Sequence, residues 1–268
     1  MRISKRRWTA SSKPIALQSI PIASGGFGSW EIALRRRTHT AGDLAGLYDH
    51  ASKSWARTSR RFRLEAAYRD PLFASGVAEA LTRPDARVLD CGIGSGSLSL
   101  ALASITTDSP DYHGIDTSGA MLSAADAELR RVGIVAQLRQ SDVCAIPYLD
   151  GTFDVVMAAY VLEHLPEPQV ALREMVRVLK PGGVMFACMT RRSVFGTFVQ
   201  LRWRTWMVSE RQGIAWLGES GLHDIGFQPI QLGFGAGRSS TAFWARKPVR
   251  TVGSSRNEGV TPRGKPLR

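Results

Sequence analysis

Apolar positions along this chain follow two periods that alternate. Short runs, apolar at most positions, recur at Arg87–Asp90, Tyr112–Asp116, Ile134–Leu138, Phe153–Ala159 and Val184–Ala187. Runs this short, bounded by Gly, Asp or Pro, predict strands buried on both faces. Between them the apolar residues return every three or four positions. Met121, Leu122 and Leu129 follow the second run. Val170, Leu172, Met175, Val176 and Leu179 follow the fourth, with Pro168 just ahead of them. That spacing predicts helices with one apolar face, the later one over Gln169–Leu179. Two more strands are predicted, at Gln228–Leu232 and, antiparallel, at Thr241–Pro248. Alternating strands and helices from Arg87 to Pro248 predict a doubly wound α/β fold: a seven-stranded, mostly parallel, Rossmann-like sheet with helices on both faces.

The pattern changes outside this span. From Gly42 to Leu81 it is helical. Leu44, Leu47, Tyr48, Ala51 and Trp55 share one face, a second helix is predicted over Arg61–Tyr68, and a third after the Asp70-Pro71 break. Residues 1–40 and 249–268 carry no useful period, and both are expected to be poorly ordered. Residues 191–226 read as a helical cap in which Arg191, Arg192, Arg202, Arg204 and Arg211 alternate with Phe195, Phe198, Trp203, Trp206 and Trp216. Such interleaving suits an anionic surface or substrate, and equally an ordinary helix on which Arg stacks against aromatics.

Charge follows the same division. Residues 1–69 carry a net +10 and residues 246–268 a net +6, while residues 70–245 carry −4. Basic ends meet anionic lipid or an acidic partner, or act only as solvated tails. No apolar run reaches the length of about 18 residues that a membrane span needs. Pro14, Gln18, Ser19 and Pro21 interrupt the one weakly apolar stretch near the start, against a signal peptide; the Arg- and Ser-rich composition fits a transit peptide or a mis-called start codon better. Cys91, Cys144 and Cys188 are dispersed, which argues against a disulfide framework or a metal site and suits a reducing, cytoplasmic setting, with membrane-peripheral contact through the basic ends.

The chemistry centres on Asp90-Cys91-Gly92-Ile93-Gly94-Ser95-Gly96, a glycine loop between a strand and a helix beginning at Ser97. Glycines there permit positive φ and let a ligand lie against backbone N–H groups. The spacing is G-x-G-x-G, not the G-x-G-x-x-G of dinucleotide folds, and no phosphate-binding G-x-x-x-x-G-K-[ST] is present. Asp116 ends the second strand 20 residues after Gly96, where a carboxylate can accept ribose hydroxyls.

D-x-G-x-G-x-G resembles motif I of class I S-adenosylmethionine (SAM)-dependent methyltransferases. Gly114-Ile115-Asp116-Thr117-Ser118-Gly119-Ala120-Met121-Leu122 resembles the GxDxSxxML segment of the same family. Phe153–Ala187, with Leu162-Glu163-His164-Leu165 and Arg177-Val178-Leu179-Lys180-Pro181-Gly182-Gly183, resembles its type-11 methyltransferase domain, of the kind found in ubiquinone/menaquinone C-methyltransferases. The resemblance covers residues 87 to about 190. It implies SAM as cofactor, with Asp90, Gly92, Gly94 and Gly96 at the methionine half, Asp116 at the ribose, Asp142 with Val143 at the adenine, and Thr117 among the cofactor-binding residues. Asp142 read by itself is equally a turn former. Ala45-Gly46-Leu47-Tyr48-Asp49-His50-Ala51 resembles the lead-in helices of small-molecule methyltransferases, which implies a helical lid over residues 41–82 ahead of the methyltransferase domain at 83–248.

SAM needs no activation by protein, so the expected work is alignment and exclusion of water. His164 is the candidate general base where the acceptor is an acid, and equally a packing residue; Tyr160 is a candidate gate. The expected substrate is a small, apolar or lipid-like molecule. Two other readings stand beside it. A nucleic-acid methyltransferase is suggested by the basic ends, but Ala158-Ala159-Tyr160-Val161 lacks the [DNS]-P-P-[YF] motif. A non-catalytic scaffold is opposed by the intact loop and both acids.

Overall fold

The computed structural model describes residues 19–27, 30–37, 46, 49, 63–191, 193, 205–233 and 237–249. An antiparallel pair comes first, β1 (Ser19–Phe27) with β2 (Trp30–Arg37). The expectation of no regular element over residues 1–40 missed these strands. In β2 the signal was a two-residue alternation, Trp30, Ile32 and Leu34 against Glu31, Ala33 and Arg35.

Helix α1 (Leu64–Ala74) runs through Asp70-Pro71, where a break was expected, and ends instead at Ser75-Gly76. Gly76 takes φ 70°, a conformation glycine adopts without cost. A single turn, α2 (Val77–Ala80), leads to the sheet. The first helix expected after Gly42, with Leu44 to Trp55 on one face, lies outside the described residues except for 46 and 49, both helical.

The sheet then follows the predicted alternation: β3 (Arg87–Cys91), α3 (Ser97–Ala103), β4 (Asp111–Asp116), α4 (Gly119–Arg131), β5 (Gln137–Gln140), β6 (Phe153–Ala159), α5 (Pro168–Val178), β7 (Leu179–Thr190), α6 (Glu210–Glu219), β8 (His223–Leu232) and β9 (Gly237–Arg246). Its order is β5-β4-β3-β6-β7-β9-β8. The first five are parallel, and β9 runs antiparallel between β7 and β8. Seven strands with an antiparallel end were expected, and seven are found. β7 begins five residues before the predicted Val184 and takes in Lys180-Pro181-Gly182-Gly183. Of the expected helical cap at 191–226, only Glu210–Glu219 is helical among the described residues, with Ser209 capping it through Gln212 N–H.

Both faces of the sheet are covered. One core joins Leu89, Phe153, Val156 and Met185 to Leu172 and Met175 of α5 and Leu217 of α6. The other joins Val88, Val155 and Phe186 to Tyr68 and Leu72 of α1 and Leu102 of α3. Full burial of each such side chain contributes about 1.5–3 kcal/mol. Past β9, Lys247 Nζ donates to the carbonyls of Val176 and Leu179, each at 2.6 Å, at the C-terminal end of α5. A cation there meets the unpaired carbonyls and the negative end of the helix dipole. Among the described residues no helix is long and apolar enough to cross a membrane.

Candidate active site at the carboxyl edge of the sheet

The chain leaves β3 in one direction to build β4 and β5 and in the other to build β6 and β7. A crevice opens at such a switch point, beyond the carboxyl ends of the strands. The glycine loop, Asp116 and the Tyr160–Leu165 turn all stand there, after β3, β4 and β6.

Gly92, Gly94 and Gly96 all have positive φ, at 68°, 54° and 84°. Gly92 N–H and Ile93 N–H both donate to Ile115 O, at 2.7 and 3.0 Å, which folds the loop back over β4. A Cβ at Gly92 would lie 2.4 Å from Cγ2 of Val161. This glycine is therefore required by the protein's own packing as well as by its backbone angle. At Gly96 a Cβ would meet Leu129 at an ordinary 3.6 Å, so only φ demands glycine there. Gly114 went unnoticed in the sequence as a site residue. A Cβ on it would lie 2.6 Å from Ile93 Cδ1 and 2.8 Å from Leu138 Cδ2, so its absence lets the loop lie on β4.

Asp116 Oδ2 accepts Gly94 N–H and Oδ1 accepts Ser118 N–H, both at 2.9 Å. Thr117 N–H also faces this carboxylate, which still has acceptor capacity for a ligand hydroxyl. Burial pushes the Asp116 carboxyl up, against the N–H groups that hold it down, and the Asp49 carboxylate adds to the rise. Asp90 is buried at 1% exposure, and its Oδ2 accepts from Ser99 Oγ of α3 at 2.8 Å. Burial pushes it up to about 7. Asp90 thus ties β3 to α3, beside the loop it precedes.

The remaining expected residues are spread along the same edge. Thr117 O accepts from Gln140 Nε2 at 2.8 Å. Asp142 Oδ1 accepts Cys144 N–H at 2.8 Å, the turn-forming use that its sequence context left open. Val143 packs its side chain into the core. His164 is 8% exposed in the single 3₁₀ turn Leu162–His164 after β6. Tyr160 has φ 58°, uncommon for a residue with a side chain, and donates its hydroxyl to Ser240 Oγ of β9 at 2.9 Å.

Two further residues support this edge, and of these Glu163 was missed in the sequence. Glu163 is wholly buried, and its Oε1 accepts both Thr190 N–H at 2.9 Å and Thr190 Oγ at 3.0 Å, stapling the turn to the end of β7. Burial pushes its carboxyl up to about 7. Ser118, also wholly buried, caps α4 by accepting Met121 N–H at 3.1 Å. Trp216, one of the aromatics interleaved with arginines, packs into the core beside Leu217, the ordinary-helix alternative. Of the arginines expected with it, Arg191 stands 3.6 Å from Glu210. Phe195, Phe198, Arg192, Arg202, Trp203 and Arg204 lie outside the described residues.

The donor set fits a cation that carries hydroxyl groups. Among the described residues, Asp90, Asp116 and Asp142 pair with no Lys or Arg; their partners are a hydroxyl and backbone N–H groups. A diphosphate would meet like charge here, whereas a sulfonium ligand with a ribose diol meets acceptors. A separate cleft of about 330 Å³ opens on the helical side of the loop, lined by Arg63, Arg69, Ser95, Ser97, Glu128 and Arg131 among others. None of the three acids lines it.

Comparison with known proteins bears on the same stretch. Residues 89–187 match the family model described as a methyltransferase domain. The chain is 37% identical over 107 residues to the ubiquinone/menaquinone biosynthesis C-methyltransferase UbiE of Paraburkholderia phytofirmans, covering 40% of this chain and 44% of that one. It is 37% identical over 97 residues to the demethylmenaquinone methyltransferase of Lactobacillus johnsonii, covering 35% and 40%. The match thus spans less than half the length of these relatives. Among solved structures, the [4+2]-cyclase SpnF superposes with a TM-score of 0.60 at 19% identity, over 79% of this chain and 98% of that one. A possible histamine N-methyltransferase from Thermotoga maritima superposes with 0.57 at 17% identity, over 76% and 99%. Likeness at that level establishes the fold, and a cyclase among the neighbours shows how little more it establishes. It is the sequence match, laid over the strand, glycine loop and acid just described, that supports a methyltransferase domain of the class I SAM-dependent kind over residues 89–187.

Proposed function

We propose that this chain transfers the methyl group of SAM to a small, apolar, quinone-like acceptor. One observation carries the cofactor half of this reading: the ribose-type acid Asp116 is hydrogen-bonded to the glycine loop and pairs with no cation among the described residues. Two relatives named for quinone methylation support the acceptor half.

When bound, SAM supplies a methyl on a positively charged sulfur, already activated for attack. The loop N–H groups and Asp116 would hold the adenosine end, Thr117 beside the ribose and Asp142-Val143 beside the adenine. Asp90, with Gly92, Gly94 and Gly96, would shape the methionine end. An acceptor entering over β6 would meet the Tyr160–Leu165 turn. His164 is the candidate to take its proton, with Glu163 holding the turn in place through Thr190. Aligning two reactants and excluding water is the main service such a site can render. The basic segments 1–18 and 250–268 lie outside the described residues, and contact with anionic lipid or an acidic partner remains part of the proposal.

The test is incubation with methyl-labelled SAM and, in parallel, demethylated quinol, total RNA and DNA, and a lipid extract. Label in the quinol is expected. Label in nucleic acid alone would overturn the substrate class. No label anywhere, with no SAM heat in calorimetry, would end the methyltransferase reading of the whole chain.

A further inference from the structure

Asp49 lies 69 residues before Ser118 in sequence and reaches it in space. Its Oδ1 accepts the Ser118 hydroxyl and, at 3.4 Å, Ala120 N–H. Ser118 is buried, so its single hydroxyl proton has few acceptors to choose from. With that proton on Asp49, the lone pairs of the same oxygen remain for Met121 N–H, the capping bond of α4. The backbone N–H of Ser118 goes to Asp116 Oδ1, and the other oxygen of Asp116 takes Gly94 N–H. Four residues from three separate stretches are thereby joined in one unbroken hydrogen-bonded path: Asp49, Ser118, Asp116, Gly94.

This path has an energetic consequence. The two carboxylates repel across Ser118, and the Asp49 charge adds to the rise of the Asp116 carboxyl. The arrangement holds because each acid has N–H or O–H donors facing it. Removing Asp49 would free the Ser118 hydroxyl to seek another acceptor and loosen the cap that orients Asp116.

Resting on the reading of Asp116 as the ribose acid, we propose that Asp49 is a positioning residue for the cofactor site, acting through Ser118 on Asp116 and the glycine loop. It touches neither cofactor nor substrate in this role. Because the effect passes through the ribose acid, it falls equally on SAM and on its demethylated product, S-adenosylhomocysteine, which share the ribose.

Calorimetric titration of the full chain with both ligands tests this. Asp49→Ala is expected to weaken both by about tenfold, the scale of one charge-assisted hydrogen bond, with the thermal midpoint moved by no more than about 2 °C. Asp49→Asn keeps the acceptor oxygen and is expected to recover binding to within about threefold of wild type. Binding by Asp49→Ala within about twofold of wild type for both ligands would overturn the proposal. So would a loss for SAM with the product unaffected, which would mean that Asp49 acts on the sulfonium charge directly. A loss that tracks a large fall in thermal midpoint and is not recovered by Asn would reduce Asp49 to a purely structural residue. Wild-type protein that binds neither ligand would remove the cofactor-site reading itself, and this inference with it.

Discussion

Replacing Glu163 by Gln should remove a loss of stability that the wild type suffers as pH rises from about 4.5 to 7. Glu163 has no exposed surface, and burial pushes its carboxyl from the ordinary 4.5 up to about 7. Between those values the native state keeps a proton that the unfolded chain has lost. Stability of the wild type therefore falls as pH rises through this window and levels off above it. At about 1.4 kcal/mol for each pH unit of separation, the fall amounts to about 3 kcal/mol. Gln has no proton to lose, and its carbonyl oxygen can still accept from Thr190 N–H and Oγ. A fixed cost from the new amide N–H₂ would displace the whole profile without changing its slope. Urea unfolding from roughly pH 5 to pH 9 measures both proteins. Asp90 rises to about 7 as well, so the wild-type profile contains both groups, but Asp90 cancels in the difference. A wild-type-minus-variant difference that stays flat across this range would refute the reasoning, and would mean that Glu163 is not held in a dry environment.

Other outcomes follow from the same edge. Gly92→Ala adds a Cβ at 2.4 Å from Val161 in a left-handed backbone and should cost about 2 kcal/mol or more; Val161→Ala in the same chain should restore part of it, and no restoration in urea unfolding would point to φ alone. Asp116→Ala should weaken SAM binding by about 1–3 kcal/mol in calorimetry, and an unchanged Kd would remove the ribose role. Ser99→Ala takes the hydroxyl from buried Asp90 and should destabilise by about 1–3 kcal/mol above pH 7 and by less at pH 5, where the carboxyl is protonated. An equal loss at both pH values would contradict the account of Asp90.

The parallel half of the sheet was legible because each strand is buried on both faces and so spells a nearly continuous apolar run. Phe153–Ala159 was placed to the residue, and Arg87–Cys91 to within one. Strands with mixed patterns were less readable. Gln137–Gln140 is an edge strand with polar positions, and apolar Ile134 drew its predicted start three residues early. Pro71 was read as a break because proline removes a helix donor, yet the helix tolerates it near its C-terminal end, where it is buried against the core. The glycine loop and Asp116 could be found from spacing, and Asp90 and Asp142 only from the resemblance to a family. What spacing could not reveal is which partner each group takes. Glu163 sits in a helical-looking run, and its bond to Thr190 joins positions 27 residues apart. Asp49 and Ser118 are farther apart still. Contacts of that kind are products of the tertiary fold and leave no local mark.

The order of strands also bears on how the chain comes to be folded as it is made. β9 is the last of the seven strands in sequence but lies in the interior of the sheet, between β7 and β8. Until the ribosome has released residues through Arg246, β7 presents an open, apolar edge of backbone donors and acceptors. Such an edge invites pairing with another nascent chain. The β8–β9 hairpin supplies the strand that covers this edge. Co-translational completion of this domain is therefore impossible before its final strand emerges, and a chain stopped short of β9 should be a substrate for chaperones and prone to aggregate.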